Sequence, residues 1–404
     1  RAVMHSALKG GRIDGNVQLD GVEVNDVAVP PLQVLARWDM QRNRARLLLA
    51  DRQKQDTVIR GYYAPDSKRY FIEAGIDKIP MRLIEPFLTG VISGTKGTAD
   101  AKLQFMGRGR EADLSGTIKV DSLRSTIDFT GVEYSIPSAH IEVAKNRFTL
   151  PSTRFYDRDG NSGTAEMKLD LSHLSNIAFN IVARPNQMLV MDTDEKDNDL
   201  FYGTIYGTGS ARITGDKMGV KMDIAATTDD NSQFFLPLSG ASNISQADFV
   251  VFRSPQMRSD TSMTYLARKK MMYERRQRQK TSGGSNMDIS MAINVRPNAE
   301  FQLVIDPTVG DIIRGRGEGT LNMHINPRSG VFDMYGDCEI TEGSYLFTLQ
   351  NVVNKKFTID AGSTIQWRGD PLDAILNIRA IYQIKTSLQP LIGATSASGS
   401  GGAR

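Results

Sequence analysis

Alternation with a period of two constrains this chain more than any other feature. In Phe332, Met334, Gly336, Cys338 and Ile340 the even positions are apolar or small, and Asp333, Tyr335, Asp337 and Glu339 between them are polar or amphipathic. Successive side chains of a strand point to opposite faces, so the run reads as a strand with one dry and one wet face. The pattern also holds in Ile13-Val17-Leu19, Ile118-Val120, Met167-Leu169-Leu171, Ile177-Phe179-Ile181 and Val220-Met222-Ile224. It continues through Ile289-Met291-Ile293-Val295, Phe301-Leu303-Ile305, Leu321-Met323-Ile325 and Leu376-Ile378-Ala380-Tyr382-Ile384. Asp20-Gly21, Asp159-Gly160, Thr214-Gly215, Ser329-Gly330 and Glu342-Gly343 supply turn chemistry between runs. The expectation is an all-β chain with strands at short, regular spacing.

Two segments depart from the pattern. Residues 80–89 gather Met81, Leu83, Ile84, Phe87 and Leu88 after Pro80, which predicts a short helix. Residues 261–280 are rich in helix formers and hold no Gly or Pro before the flexible TSGGS stretch. There Arg268, Lys269, Lys270, Arg275, Arg276, Arg278 and Lys280 face a single acid, Glu274. Such a basic, partly amphipathic segment suits a membrane surface or a protein partner, and equally a solvated insertion between β-sections. The organisation expected is an N-terminal β section over 1–89, a middle one over 90–258, a basic helical or flexible insertion over 259–286, a C-terminal β section over 287–395 and a low-complexity tail over 396–404.

The β-sections echo one another. Gly97-Thr98, Gly209-Ser210 and Gly319-Thr320 each lead into a strand, at spacings of 209 − 97 = 112 and 319 − 209 = 110. Residues 114–132 and 334–352 match at an offset of 220: Gly116 with Gly336, Val120 with Ile340, Ile127 with Phe347 and Val132 with Val352. A stacked, elongated β-structure is the simplest reading of such repetition.

Composition disfavours several chemistries. With 49 basic against 46 acidic residues the net charge is only +3, too balanced to imply a nucleic-acid partner. The single Cys338 excludes an internal disulfide framework, and the four His residues are scattered. No stretch approaches the roughly 20 consecutive apolar residues of a spanning helix. The chain opens at Arg1 and reads as a piece of a longer one. DTDEKDND at 192–199 has Lys196, Asp197 and Gly203 where a calcium loop needs an oxygen ligand, Gly and Glu, so a solvated turn is expected. RGRGEG at 314–319 lacks the Lys-[Ser/Thr] of a phosphate loop and reads as glycine where strands bend or approach closely. Cys338 falls on the apolar face of its strand, as a small core residue. No catalytic constellation, metal ligand set or cofactor motif emerges, and the expectation is a protein that is not an enzyme.

The long apolar face is then the candidate site. A sheet closed into sandwiches makes of it an ordinary filled core. A sheet curled lengthwise without closing leaves a continuous apolar groove, suited to acyl chains or unfolded hydrophobic strands. Alternation is the same in both.

The segments FYGTIYGTGSARITG (201–215), FFLPLSG (234–240), GRGEGTLNMHI (315–325) and 336–388 resemble the C-terminal region of the TamB family, the inner-membrane component of the translocation and assembly module, related to AsmA-like bridge proteins. The most specific part runs from Glu342-Gly343-Ser344-Tyr345 through Phe357-Thr358-Ile359 to Trp367-Arg368-Gly369-Asp370-Pro371. The FFLPL run and the basic segment look most like Bacteroidetes-type versions. The resemblance implies a long parallel β-sheet curled into a taco-like or solenoid-like trough with an apolar inner face. It implies tethering by an N-terminal inner-membrane anchor absent from this chain, and a place in the periplasm of a Gram-negative bacterium. It further implies a partner barrel of the Omp85 class, TamA- or BamA-like, and a cargo of phospholipid or unfolded outer-membrane protein strands. On this reading the groove candidates are Leu321, Met323, Ile325, Phe332, Met334, Ile340, Phe347, Phe357, Ile359, Leu376, Ile378 and Tyr382, and the membrane or partner contacts are Arg268, Lys269, Lys270, Arg275, Arg276 and Arg278. The rival reading is a structural β-solenoid, a spacer or adhesin with a filled core and no cargo. A polysaccharide-active β-helix enzyme, with acids clustered on one exposed face, is a third.

Overall fold

The computed structural model describes residues 2–9, 11–24, 27–28, 30–53, 57–88, 90–109, 111–173, 176–198, 201–237, 287–306, 311–349 and 353–383. The basic segment 261–280, with its six candidate contacts, and the tail 396–404 lie outside the described residues. Apart from the hairpin of Glu23–Val24 with Val27–Ala28, the described strands join one curled sheet of 24 strands.

From Ala2–Lys9 to Asn176–Arg184 the strands of this sheet follow one another as an antiparallel meander, each hydrogen-bonded to the next. After it the sheet is built from long strands facing two short ones laid end to end. Tyr202–Asp216 pairs with Gly219–Thr228 along its second half and with Gln233–Pro237 at its start. Asp311–Asn326 takes Glu300–Asp306 and Met287–Val295 in the same way, and Val331–Leu349 takes Val353–Ile359 and Ser363–Gly369.

The resemblance implies a parallel sheet, and the pairing corrects it. Among the described strands only Gly219–Thr228 with Met287–Val295 and Gln233–Pro237 with Glu300–Asp306 run parallel. Turns as short as Lys145-Asn146 can only reverse the chain, whereas a parallel step needs a long crossover. Both parallel pairs span the one long connection, between residues 237 and 287.

The last of the long strands creases near its middle. In Val331–Leu349 the pairing jumps from Ile340 opposite Gly317 to Glu342 opposite Arg316, leaving Thr341 as an extra residue. A bulge of this kind bends the strand and shifts its inward positions by one. Met334, Cys338 and Ile340 therefore share the inner face with Tyr345 beyond the bulge, and all four belong to one apolar cluster. That cluster takes Leu303 and Ile313 from one half of the sheet and Ile289, Leu321, Ile325, Ile365 and Trp367 from the other, so the two halves fold onto each other.

The chain between the turns behaves as its residue types dictate. Met81–Phe87 is a 3₁₀ helix after Pro80, and Met81 packs on the small cluster of Ala99, Val120 and Ala139. The acidic run makes a turn in which the Asp194 carboxylate accepts from the backbone N–H of Lys196 and Asp197. Asp157 is buried because its carboxylate accepts the N–H groups of Asp159, Asn161 and Leu189, which ties its loop to the strand Met188–Thr193. The run expected as one final strand over 376–384 is divided: Ile375–Asn377 pairs with Ser363–Gly369 and Ala380–Ile381 with Val353–Ile359. The break arises because this segment follows the two end-to-end short strands across the crease.

Candidate functional site

The curled sheet carries its apolar side chains in rows, and one row is unbroken over most of the chain. Cross-strand neighbours follow from Val17 to Val34, Leu49, Ile59, Ala74, Leu103 and Gly116. From Gly116 they pass to Val143, Phe148, Leu169, Phe179, Gly215, Val220 and Met287. Every member is apolar or glycine. Thirteen steps at roughly 4.8 Å each give a lane about 60 Å long. A second row lies beside it, from Met167 through Ile181, Ile213, Met222, Ile289 and Ile325 to Phe332.

What changes along the lane is its cover. Between residues 11 and 88 no described hydrophobic side chain is fully buried, and Leu47, Tyr63 and Ile72 on the inner face stand 44%, 44% and 37% exposed. The opposite face of this section carries ion pairs, Arg37 with Asp14 and Arg60 with Glu73, between the exposed Leu35 and Tyr62. Ala99, Val120 and Ala139 are already buried in the middle section. From Phe201 to Trp367 the interior is dry: Ile289, Met334, Ile340 and Ile365 have no exposed surface at all. The structure is thus a trough open at its N-terminal end and shut by wall-to-wall packing farther on.

Past the closed block the inner face opens again. Tyr345, Phe357 and Tyr382 form a ladder with ring centroids 6.0 and 5.4 Å apart, and the Lys355 ammonium lies 5.3 Å from the Tyr382 ring. Leu376, in register with Ile365, and Tyr382, just past the last described strand, are exposed on this face, while Ile375 and Ile381, in register with Gln366 and Thr358, are exposed on the other.

The groove candidates divide along this boundary. Leu321, Ile325, Met334, Ile340 and Ile359 are buried in the closed block, and Met323, Phe332 and Ile378 pack against it. Phe347 and Phe357 are half-buried, while Leu376 and Tyr382 are exposed. The open strip of residues 13–76 was not among them. Its alternation is masked in RARLLLAD, where three successive leucines point to both faces, Leu47 and Leu49 inward and Leu48 outward.

Cys338 sits on the inner face of the closed block, 3% exposed. Burial first, and the Glu318 carboxylate second, push its thiol from 9.0 to about 11. Two results are expected. The folded protein resists alkylation at pH 8 and is modified after denaturation, because the thiolate is the nucleophile. A thiol whose folded value is raised contributes its full stability below pH 9 and loses it as pH rises towards 11, a loss of about 2–3 kcal/mol. Denaturant melts at pH 8 and pH 11 read this loss, and the Cys338→Ala variant should lack that share of it.

RGRGEG occupies the crease. Gly315, Gly317 and Gly319 lie on the inner face, and a Cβ on Gly319 would overlap the carbonyl oxygen of Asp337. Gly97 and Gly209, its counterparts in the echo, likewise approach the carbonyls of Ser122 and Ala225.

A family model, the TamB C-terminal domain, matches residues 153–402, more than half of the chain. The chain belongs to the TamB family. Searches of curated proteins and of solved structures give no match. TamB proteins belong to the Gram-negative envelope, where they serve its biogenesis by transport or assembly rather than by catalysis, and they generally work with an Omp85-type partner. The matched residues hold the closed block and the aromatic mouth; the open strip precedes them.

Proposed function

We propose that this TamB-family chain carries acyl chains of phospholipid along its apolar lane, as part of a bridge that crosses the periplasm from an inner-membrane anchor to an outer-membrane barrel of the Omp85 class. The observation that carries the reading is the unbroken apolar row from Val17 to Met287, whose first part is half-buried beside the exposed Leu47, Tyr63 and Ile72. Each methylene laid on such a surface gains about 0.8 kcal/mol, so an acyl chain is held without a cofactor. A spacer with a filled core has no reason to expose such a row.

A second role rests on a separate observation. The last described strands, Ile375–Asn377 and Ala380–Ile381, each pair on one side only among the described residues, with exposed apolar side chains beside that edge. Such an edge adds a strand from a partner by β-augmentation, which suits docking on a TamA- or BamA-like barrel or handing on an unfolded outer-membrane strand. The basic segment with Arg268, Lys269, Lys270, Arg275, Arg276 and Arg278 would add contact with anionic headgroups or with that partner.

Native mass spectrometry of the purified chain, with extraction of what co-purifies, tests the main reading. Phospholipid in stoichiometric amount, or its uptake from vesicles, is the expected result. A lipid-free mass that persists after incubation with vesicles would remove the transport reading and leave the spacer.

A further inference from the structure

The closed block departs from an ordinary core in three respects. Its packing is rich in methionine: Met191, Met222, Met287, Met291, Met323 and Met334 all belong to it, of 17 in the chain. Met291, Met323 and Met334 stand side by side on three neighbouring strands. Unbranched thioether side chains repack around a guest more readily than β-branched ones, and they are over-used on surfaces that accept varied apolar partners. The crease joining the two walls has glycine at 315, 317 and 319, where the backbone turns more freely than at other residues, with the Phe301 ring and the Glu339 and Asp337 carbonyls packed against it. Finally, the indole of Trp367, 5% exposed, has an Nε1–H with no acceptor among the described residues. Buried polar groups are almost always partnered, and one left alone costs about as much as a lost hydrogen bond. Here the orphan is a donor held within the apolar cluster, and it wants a carbonyl.

We propose that the closed block is a latent acyl-ester compartment: its walls part along the glycine crease, an acyl chain replaces the wall-to-wall contacts of the methionines, and Trp367 Nε1–H donates to the ester carbonyl oxygen. The proposal rests on the transport reading above and adds that the lane is entered by displacement beyond Phe201. The apolar row leads into the block without a polar break, since Val220 and Met222 meet Met287 and Ile289 there. A cargo lying on the open strip reaches the block by sliding along the lane.

The chain contains only two tryptophans, and they report separately. Trp38 lies on the open strip, in register with Ile13 and Ala45, and Trp367 lies inside the block. Two variants of the full chain, Trp38→Phe and Trp367→Phe, leave one reporter each. Both are titrated with vesicles of phosphatidylcholine brominated at mid-chain, a quencher that acts only on contact. The expected result is strong loss of emission from both tryptophans. Quenching of Trp38 with Trp367 untouched would overturn the latent compartment while transport along the open strip stands. Silence from both would remove the transport reading along with it.

The carbonyl is tested by comparing ester lipid with its ether analogue, which lacks that oxygen. The ester is expected to bind the Trp38→Phe chain roughly five- to tenfold more tightly, the effect of one neutral hydrogen bond. In Trp367→Phe the preference should vanish. Equal affinity of the two lipids for the Trp38→Phe chain would overturn the assigned hydrogen bond. A response of Trp367 to an unfolded barrel peptide but not to lipid would overturn the lipid assignment.

Discussion

Gly336→Val is expected to unfold the C-terminal section, at a cost of about 4 kcal/mol or more, which is exceptional for one substitution. Three effects add at this position. Gly336 has φ +133°, a region that β-branched residues avoid, and forcing a side chain there costs about 1–3 kcal/mol. A Cβ would overlap the Thr320 carbonyl oxygen on the neighbouring strand. That oxygen is backbone and cannot swing aside, so the strands must separate. Gly336 also lies opposite Leu321 on one side and Trp367 on the other, both buried, so separation opens the closed block. Gly21→Asn is the matched control. Gly21 has φ +66°, a region asparagine tolerates, and nothing stands within 4 Å of its missing Cβ. Its cost should stay below about 1 kcal/mol. Melts followed by Trp367 emission separate the two, and a Gly336→Val chain that melts like the parent would disprove the account.

The same glycine shows what the sequence could tell and where it stopped. The echo between residues 114–132 and 334–352 is structural. Gly116 has φ +143° against +133° for Gly336, and its Cβ would overlap the carbonyl oxygen of Lys102 just as that of Gly336 would overlap Thr320. Gly116 faces Leu103 as Gly336 faces Leu321, and Val120 and Ile340 are buried four residues on. Each strand then bulges, at Ser122 and at Thr341. The alternation, the turns at Asp20-Gly21, Asp159-Gly160 and Ser329-Gly330 and the buried Cys338 were legible because each is set by neighbours in sequence, whereas Thr214-Gly215 and Glu342-Gly343, also expected as turns, lie inside the strands Tyr202–Asp216 and Val331–Leu349. The bulge itself was not. It moves Tyr345, an odd-numbered residue, to the face held by even-numbered Met334 and Ile340, and alternation carries no mark of where that switch falls. Strand direction was misjudged because it was taken from the resemblance, although turns like Lys145-Asn146 argue for reversal. The cover over the lane was out of reach for a deeper reason. Leu47 and Leu321 sit in equally regular strands, one 44% and the other 9% exposed, because only the second has an opposite wall. Closure depends on what lies across the trough, and no local pattern encodes it.

That dependence makes the open strip the place to separate binding from folding. Introducing Leu47→Glu and Ile72→Glu together is expected to weaken acyl binding to the strip at least roughly tenfold, with little change in stability. Both side chains lie in one cross-strand row, joined through Gly61, and both already face water. Their charges therefore cost the fold little, since surface changes away from packed groups usually stay within about 0.5 kcal/mol each. An acyl chain laid over that row would have to strip water from two carboxylates, and a desolvated charge without a partner costs far more than the apolar contact it replaces. The comparison that isolates the face is Leu35→Glu. Leu35 is 39% exposed, close to Leu47, but it stands in register with Asn16 on the polar side, two residues from the Arg37–Asp14 ion pair. Hydropathy, exposure and chain position are nearly matched, and only the direction of the side chain differs. Vesicle co-sedimentation and lipid-extraction assays on the three chains should show loss for the double variant and parent-like binding for Leu35→Glu. Equal loss from both faces would mean that lipid adheres to the strip without using the lane, and the row from Val17 onward would then be a packing surface waiting for protein.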